Sequence, residues 1–254
     1  YFFIPEVLLT VTKENIIFTF TKVLNKTFAI QTVLNKISEC LSLLQHSKMD
    51  KKNDKKVRLS NKQLIPEKND YIESVQTILK KIHRGQIDKV VLSRIEKFDI
   101  QNNLSFKTII DELVEKYPNC LNFIIEYKKG EYFIGSSPEV LITINDNKFK
   151  TIALAGTSKQ SLSLKNKKEI EEHQYVVDYL KKTLDEFSYE LNVDRDAKPL
   201  KLDYAYHIRT PIHGILIKKI HILRILTKIY PTPALAGYPR NESMELIDSN
   251  ENFD

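Results

Sequence analysis

Cysteine is scarce in this chain: Cys40 and Cys120 are the only two in 254 residues. Two distant cysteines exclude a disulfide framework and a cysteine-built zinc site, so a reducing, cytoplasmic setting is expected. Long apolar runs are missing as well. None reaches the ~18 to 20 residues of a membrane span, and no membrane partner is expected. The N-terminal YFFIPEVLLTV is apolar, but no basic stretch precedes it and Pro5 interrupts it, which argues against a signal peptide. The formal net charge is +6, yet the lysines are scattered among isoleucine and asparagine and no nucleic-acid-binding module is present. We therefore expect no nucleic-acid partner; a positive field suits a small anionic substrate equally well. Hydrophobic residues at 42% and charged residues at 28% are ordinary for a globular chain with ample core.

Glycine is also rare, at six residues, and two of the six fall in FIGSSPEVLITINDNKFKTIALAGT, residues 133–157. The stretch reads as a β-hairpin turning at Asp146-Asn147, so that paired positions sum to 293 and Glu139 lies opposite Leu154. Ala155, Gly156 and Thr157 then arrive at the same end as Ser136, Ser137 and Glu139. This brings a carboxylate, a hydroxyl and unobstructed backbone amides together, and such amides suit a substrate carboxylate. Gly135 is read as freeing the chain just before Glu139. On pattern alone, a surface Glu beside a turn remains an open alternative.

Around this hairpin the chain alternates strands and helices without internal repeats. One or two short strands and a helix from about Lys26 to Gln45 occupy residues 1–47. The Lys-rich, aperiodic stretch from about 47 to 69 reads as an exposed connection. These 69 residues are read as an N-terminal portion, and residues 70–254 as the main domain. A helix follows with Ile72, Val75, Ile78, Leu79 and Ile82 on one face, Asn69 or Asp70 as N-cap and Gly85 closing it. KVVLSRIEKFDI, from Lys89, alternates as a strand. A helix at 106–116, a strand at LNFIIEY and a KKGE turn lead into the hairpin. KKEIEEHQYVVDYLKKTLDEFSYEL reads as one long helix burying Val176, Leu180, Leu184 and Phe187. A strand at Leu200–Thr210 and a helix at Ile220–Lys228 complete the pattern. Tight turns between strands favour antiparallel pairing, hence an α+β class.

Six segments in order, GQIDKVVLSR, FIGSSPEVL, TIALAGT, EEHQYVVDYL, HIRTPIHG and YPTPALAGYPR, resemble the chorismate-utilising enzymes, most closely isochorismate synthase. The resemblance covers most of residues 70–254 and spans menaquinone-type and siderophore-type relatives. It implies an anthranilate synthase component I-like fold of layered antiparallel sheets flanked by helices. It also implies chorismate as small-molecule substrate, Mg²⁺ as cofactor and, as in many relatives, a monomer. The implied reaction adds water at C2 of chorismate and expels the C4 hydroxyl, which calls for a base and an acid.

By the same resemblance, Lys89 is the general base and Glu139 the general acid. Lys89 needs its proton affinity lowered by desolvation or positive charge, and Glu139 needs it raised by an apolar wall. Glu172 begins the inward face of its helix and is the implied magnesium ligand, with Glu169 and Glu171 as nearby competitors. Gly156, Thr157, His207, Ala234 and Gly237 match substrate-binding positions. Relatives commonly carry His where Tyr230 stands, a departure that weakens any role for position 230 itself. Lys89 distinguishes the chain from ammonia-using relatives, which tend to carry Gln there. Salicylate synthase is the alternative that shares the lysine. A chorismate-pocket domain without catalysis is the other alternative: relatives continue past a segment like LIDSNENFD into an Arg-x-x-Tyr-x-Gly motif and a second magnesium glutamate. A truncated chain with a half-built metal site, poorly active and aggregation-prone in isolation, is accordingly expected.

Overall fold

The computed structural model describes residues 7–11, 16–21, 30–46, 57–102, 104–201, 205–218, 220–251 and 253. The helix start expected near Lys26 and residues 47–56 of the Lys-rich stretch lie outside these. Two compact units divide between Asn53 and Asp54. In the first, β1 (Val7–Val11) pairs antiparallel with β2 (Ile16–Phe20), and α1 (Ile30–His46) follows, in the expected order of strands and then helix.

The second unit opens with a departure from expectation. Leu59–Ile65 is a strand, β3, rather than an exposed connection. Its side chains are mostly polar and exposed; backbone hydrogen bonds to β5 (Ile95–Ile100) hold it, and those leave no hydrophobic signature. Between them, α2 (Lys68–His83) starts shortly after the Ile65-Pro66 pair, two residues earlier than Asp70. Glu67 is its N-cap and makes no side-chain capping bond. Gly85, at φ +67°, ends it as expected. The segment KVVLSRIEKFDI splits into β4 (Lys89–Val90) and β5, because the Val91 amide bonds the Ala236 carbonyl and the Ser93 amide bonds the Glu251 carboxylate. α3 (Phe106–Lys116), N-capped by Ser105, leads to the hairpin of β6 (Leu121–Lys128) and β7 (Glu131–Ser137).

The centre of the unit is a five-stranded sheet. β8 (Thr143–Asn145) turns into β9 (Lys148–Ser158); after a short 3-10 helix comes α4 (Lys167–Asp185), then β10 (Ser188–Val193), β11 (Lys198–Lys201) and β12 (Tyr206–Leu216). The order is β10-β12-β9-β8, with β11 also on β12. Then α5 (Ile222–Ile229), β13 (Gly237–Tyr238) and α6 (Arg240–Asn250) follow, β13 pairing with β4. Every pairing among the described residues is antiparallel, as the α+β reading requires.

The long helix is expected from its pattern to run to Leu191 but stops at Asp185. Phe187 folds back onto Leu184, and SYELNV joins the sheet as β10, where ladder hydrogen bonds to β12 replace the helical ones. The expected core face is present: Val176, Leu180, Leu184 and Phe187 are buried. They pack on Phe149, Ala153 and Ala155 of β9 and Ile212 of β12, with Ile225 and Ile229 of α5 in the same cluster. Period-two alternation places Phe149, Thr151, Ala153 and Ala155 on that face, opposite Gly214, Ile212, Thr210 and Ile208 of β12. Helix α6 has no strong apolar period and is not foreseen by the sequence pattern.

Gly214 sits where β10, β12 and the Phe149 ring converge. A Cβ there would stand 2.2 Å from the Glu190 carbonyl oxygen and 2.8 Å from the ring. Gly214→Ala is therefore expected to cost roughly 2–3 kcal/mol, as overpacking does. A lowered urea midpoint at unchanged slope is the measurement that checks it.

Candidate active site

The two-residue turn at Asp146-Asn147 has the expected register, Thr143 facing Lys150 and Asn145 facing Lys148. The ladder ends there. Residues 138–142 belong to no strand, and β7 pairs with β6 in a separate two-stranded sheet. Leu154 pairs with Arg209 on the β12 edge, and on the β8 edge no ladder reaches as far as Glu139. Physically, β9 gives its full length to β12, while the partner side carries only the three residues of β8 before the chain turns away; the Thr151 hydroxyl bonds the Leu141 carbonyl at 2.6 Å. Gly135 likewise does something else than expected. Its missing side chain makes room for the Phe123 ring across the β6–β7 pair, with Phe123 Cζ 2.9 Å from where a Cβ would be.

Gly156 answers why glycine is needed at the other foot. Ala155 faces Ile208 and Thr157 faces His207, so Gly156 is an extra, unpaired residue, a β-bulge at φ +73°. Its Cβ would lie 2.9 Å from the Glu169 carbonyl oxygen. The bulge re-aims the end of the strand. The Thr157 amide donates to Glu169 Oε2 at 2.8 Å, and Thr157 Oγ1 lies 3.1 Å from His207 Nδ1. Burial lowers the pKa of the His207 ring, against a weaker opposing pull from the Gly156 backbone, so the imidazole is held neutral near pH 7. Its Nε2 is buried without a protein partner.

Lys89 occupies β4 with its side chain largely buried. Its Nζ lies 3.0 Å from Glu172 Oε1 and donates to the Pro233 carbonyl at 2.7 Å. The backbone of Lys89 is clamped from the other side. Gly237 pairs with Val90 and could carry no Cβ, which would meet the Lys89 carbonyl oxygen at 2.1 Å; the buried Ser243 hydroxyl bonds that same oxygen at 2.9 Å. Gly237 thus serves close packing against Lys89, and Ala234 packs against the core beside it. Tyr238 stacks on Tyr175 of α4 at 5.1 Å.

These contacts join five of the six sequence segments into one network. Lys89 links to Glu172 and to the PTPA turn; one helical turn before Glu172, Glu169 links to Thr157 and through it to His207. Glu171 is exposed and pairs with Lys167. The sixth segment, carrying Glu139, stands apart. A cavity of about 500 Å³ is lined by Lys89, Glu172, Tyr175 and the apolar side of α2, and Glu139 is not in its wall. Ile72 and Leu79 of that helix face are exposed rather than packed. Glu139 is half-buried, and burial raises its carboxyl above the usual range. Sequence offers Glu169 only as a competitor of Glu172; its spacing of three from that residue is the usable signal. Nothing in the sequence points to the Pro233 carbonyl or to Ser243.

Among the described residues, no three His, Cys, Asp or Glu side chains converge as a metal site. Glu169 and Glu172 are two hard oxygen donors on one helix face. That suits Mg²⁺, which is usually held by one or two carboxylates with water or substrate completing its shell.

The family model described as chorismate binding enzyme matches residues 1–254. The chain belongs to the chorismate binding enzyme family. Isochorismate synthase EntC of Escherichia coli (strain K12) is 28% identical over 204 residues, covering 76% of this chain and 52% of that protein. The structure of MenF, the menaquinone-specific isochorismate synthase from Escherichia coli, superposes with a TM-score of 0.76 at 24% identity over 86% of this chain and 53% of its own. Anthranilate synthase component I from Streptococcus pneumoniae TIGR4 matches at TM-score 0.76 and 19% identity, over 94% and 55%. The fold is therefore the one the sequence resemblance implied. The chain spans about half the length of the curated relatives it matches.

One further buried histidine lies on the helix that carries Glu172. His173, next to Glu172, is buried, with Nε2 2.8 Å from Thr210 Oγ1. Burial lowers its pKa below the ordinary 6.5, outweighing the Ala155 backbone. Below pH 6.5 the unfolded chain takes up a proton here that the folded chain resists, so stability falls as pH is lowered through that region. Between about pH 7.5 and 5.5 we expect the urea midpoint of His173→Gln to fall less than that of the parent chain.

Proposed function

We propose that this chain acts in isochorismate synthesis, the conversion of chorismate by water addition at C2 and loss of the C4 hydroxyl. One observation carries the reading: the Lys89 ammonium bridges the Glu172 carboxylate and the Pro233 carbonyl at the edge of a cavity, joining three of the family-like segments. The curated relatives named for isochorismate synthesis support the choice of reaction.

In this reading Lys89, once unprotonated, takes a proton from the attacking water, and its buried stem fixes the direction of that transfer. The family resemblance, rather than a contact with the Lys89 network, assigns protonation of the departing hydroxyl to Glu139; burial keeps its carboxyl in the acid form to higher pH than an exposed glutamate. By the family resemblance, His207 and Thr157, joined at the Gly156 bulge, bind and orient the substrate ring. Magnesium, when bound by Glu172 with Glu169, would supply positive charge opposite a substrate carboxylate.

Incubation with chorismate and Mg²⁺, followed by product separation, tests the reaction. Isochorismate is the expected product; salicylate would move the chain to the pyruvate-eliminating relatives, and unchanged chorismate would overturn the assignment. Lys89→Ala is expected to lower turnover by about 10² to 10⁴ while chorismate affinity changes only a few-fold. Glu139→Gln should lower turnover on the same scale. Its residual activity should lack the fall that the parent enzyme shows as pH rises through the raised carboxyl pKa.

A further inference from the structure

Glu172 is asked to do two things. It is the carboxylate placed to hold a divalent cation, and it is also the counter-charge of Lys89, at 3.0 Å with both side chains partly shielded from water. A carboxylate has two oxygens, so the ion could take the one that Lys89 leaves. Even then an ammonium and a doubly charged ion would share one negative group across a few ångströms, in a setting where solvent screens them poorly. Glu169 offers partial relief only, because its Oε2 is committed to the Thr157 amide.

We propose that Lys89 and the divalent cation are antagonists at Glu172: each weakens the other's hold, so that loading the cation turns Lys89 off the carboxylate. Lys89 does not then lose its place. Its Nζ keeps the Pro233 carbonyl at 2.7 Å, and its backbone stays clamped by Gly237 and Ser243. The side chain has a second anchor to swing on, toward the cavity it lines. Because binding free energies are reciprocal, the coupling can be read from the cation side alone. The inference rests on the reading of Glu172 as a cation ligand, not on the identity of the product.

The experiment is a Mn²⁺ titration of the full chain, followed by electron paramagnetic resonance of the free ion, without substrate. Lys89→Met keeps the apolar stem and removes the charge, and it is expected to bind Mn²⁺ at least about tenfold tighter than the parent chain. Lys89→Gln is expected to do the same and serves if the methionine variant fails to fold by circular dichroism. Lys168→Met removes an exposed cation 3.9 Å from Glu169 Oε1 and should change affinity less than about threefold, as a solvent-screened charge does. Adding Glu172→Gln to Lys89→Met should erase the gain. Equal Mn²⁺ affinity in parent and Lys89 variants, a gain that survives Glu172→Gln, or no Mn²⁺ bound by any of them overturns the proposal. A chain that makes no isochorismate yet shows the tenfold gain would sink the reaction and leave the antagonism standing.

Discussion

The antiparallel pairing of β9 with β12 is the constraint on which the rest of this unit is built. Ten register pairs run from Tyr206–Ser158 to Ile215–Lys148, and one face of that ribbon is covered by α4. Small residues on that face, Ala153, Ala155 and Gly214, let the helix and the Phe149 ring come close. The ribbon is regular until one residue interrupts it. At Gly156 the ladder gains an unpaired position, and the pairing that resumes delivers Thr157 and His207 side by side toward the first turn of α4. A buried core and the candidate site are thus two ends of one ladder.

Charge is handled at that end by pairing rather than exposure. Lys89 and Glu172 neutralise one another, Glu169 accepts a backbone amide, and His207 and His173 are kept uncharged by burial. A shielded ion pair contributes little net stability, because desolvation offsets most of its attraction. Its value lies in placement. Lys89 is held in a defined direction by two acceptors, and its backbone by a glycine and a serine that arrive from the other end of the sequence.

Much of this is readable from residue order. The α4 face of Val176, Leu180 and Leu184 follows from its period, the Asp146 turn from its register, and Gly85 from its place after a helix. The expectations that failed did so for identifiable reasons. β3 is held by backbone bonds and has polar side chains, so no hydrophobic period marks it. SYELNV continues a helical pattern yet leaves the helix, because a sheet edge is there to receive it. Placing Glu139 opposite Leu154 extends a turn register past Thr143, where β8 begins and its ladder to β9 stops. Gly135 reads as freeing the chain just before Glu139, whereas its missing side chain clears space for the Phe123 ring.

The sequence alone determined the secondary elements with strong local period, the antiparallel α+β class, and the set of polar residues grouped near one family-like site. Local period and residue chemistry act over a few positions, and those positions are contiguous in the chain. Only the tertiary structure decided that Lys89 meets Glu172 and Pro233, that Gly156 is a bulge, and that Glu139 stands outside their network. Those outcomes depend on which strand claims each edge of β9 and on which residues then share a volume. That competition is between segments far apart in sequence, and no short stretch carries a record of it.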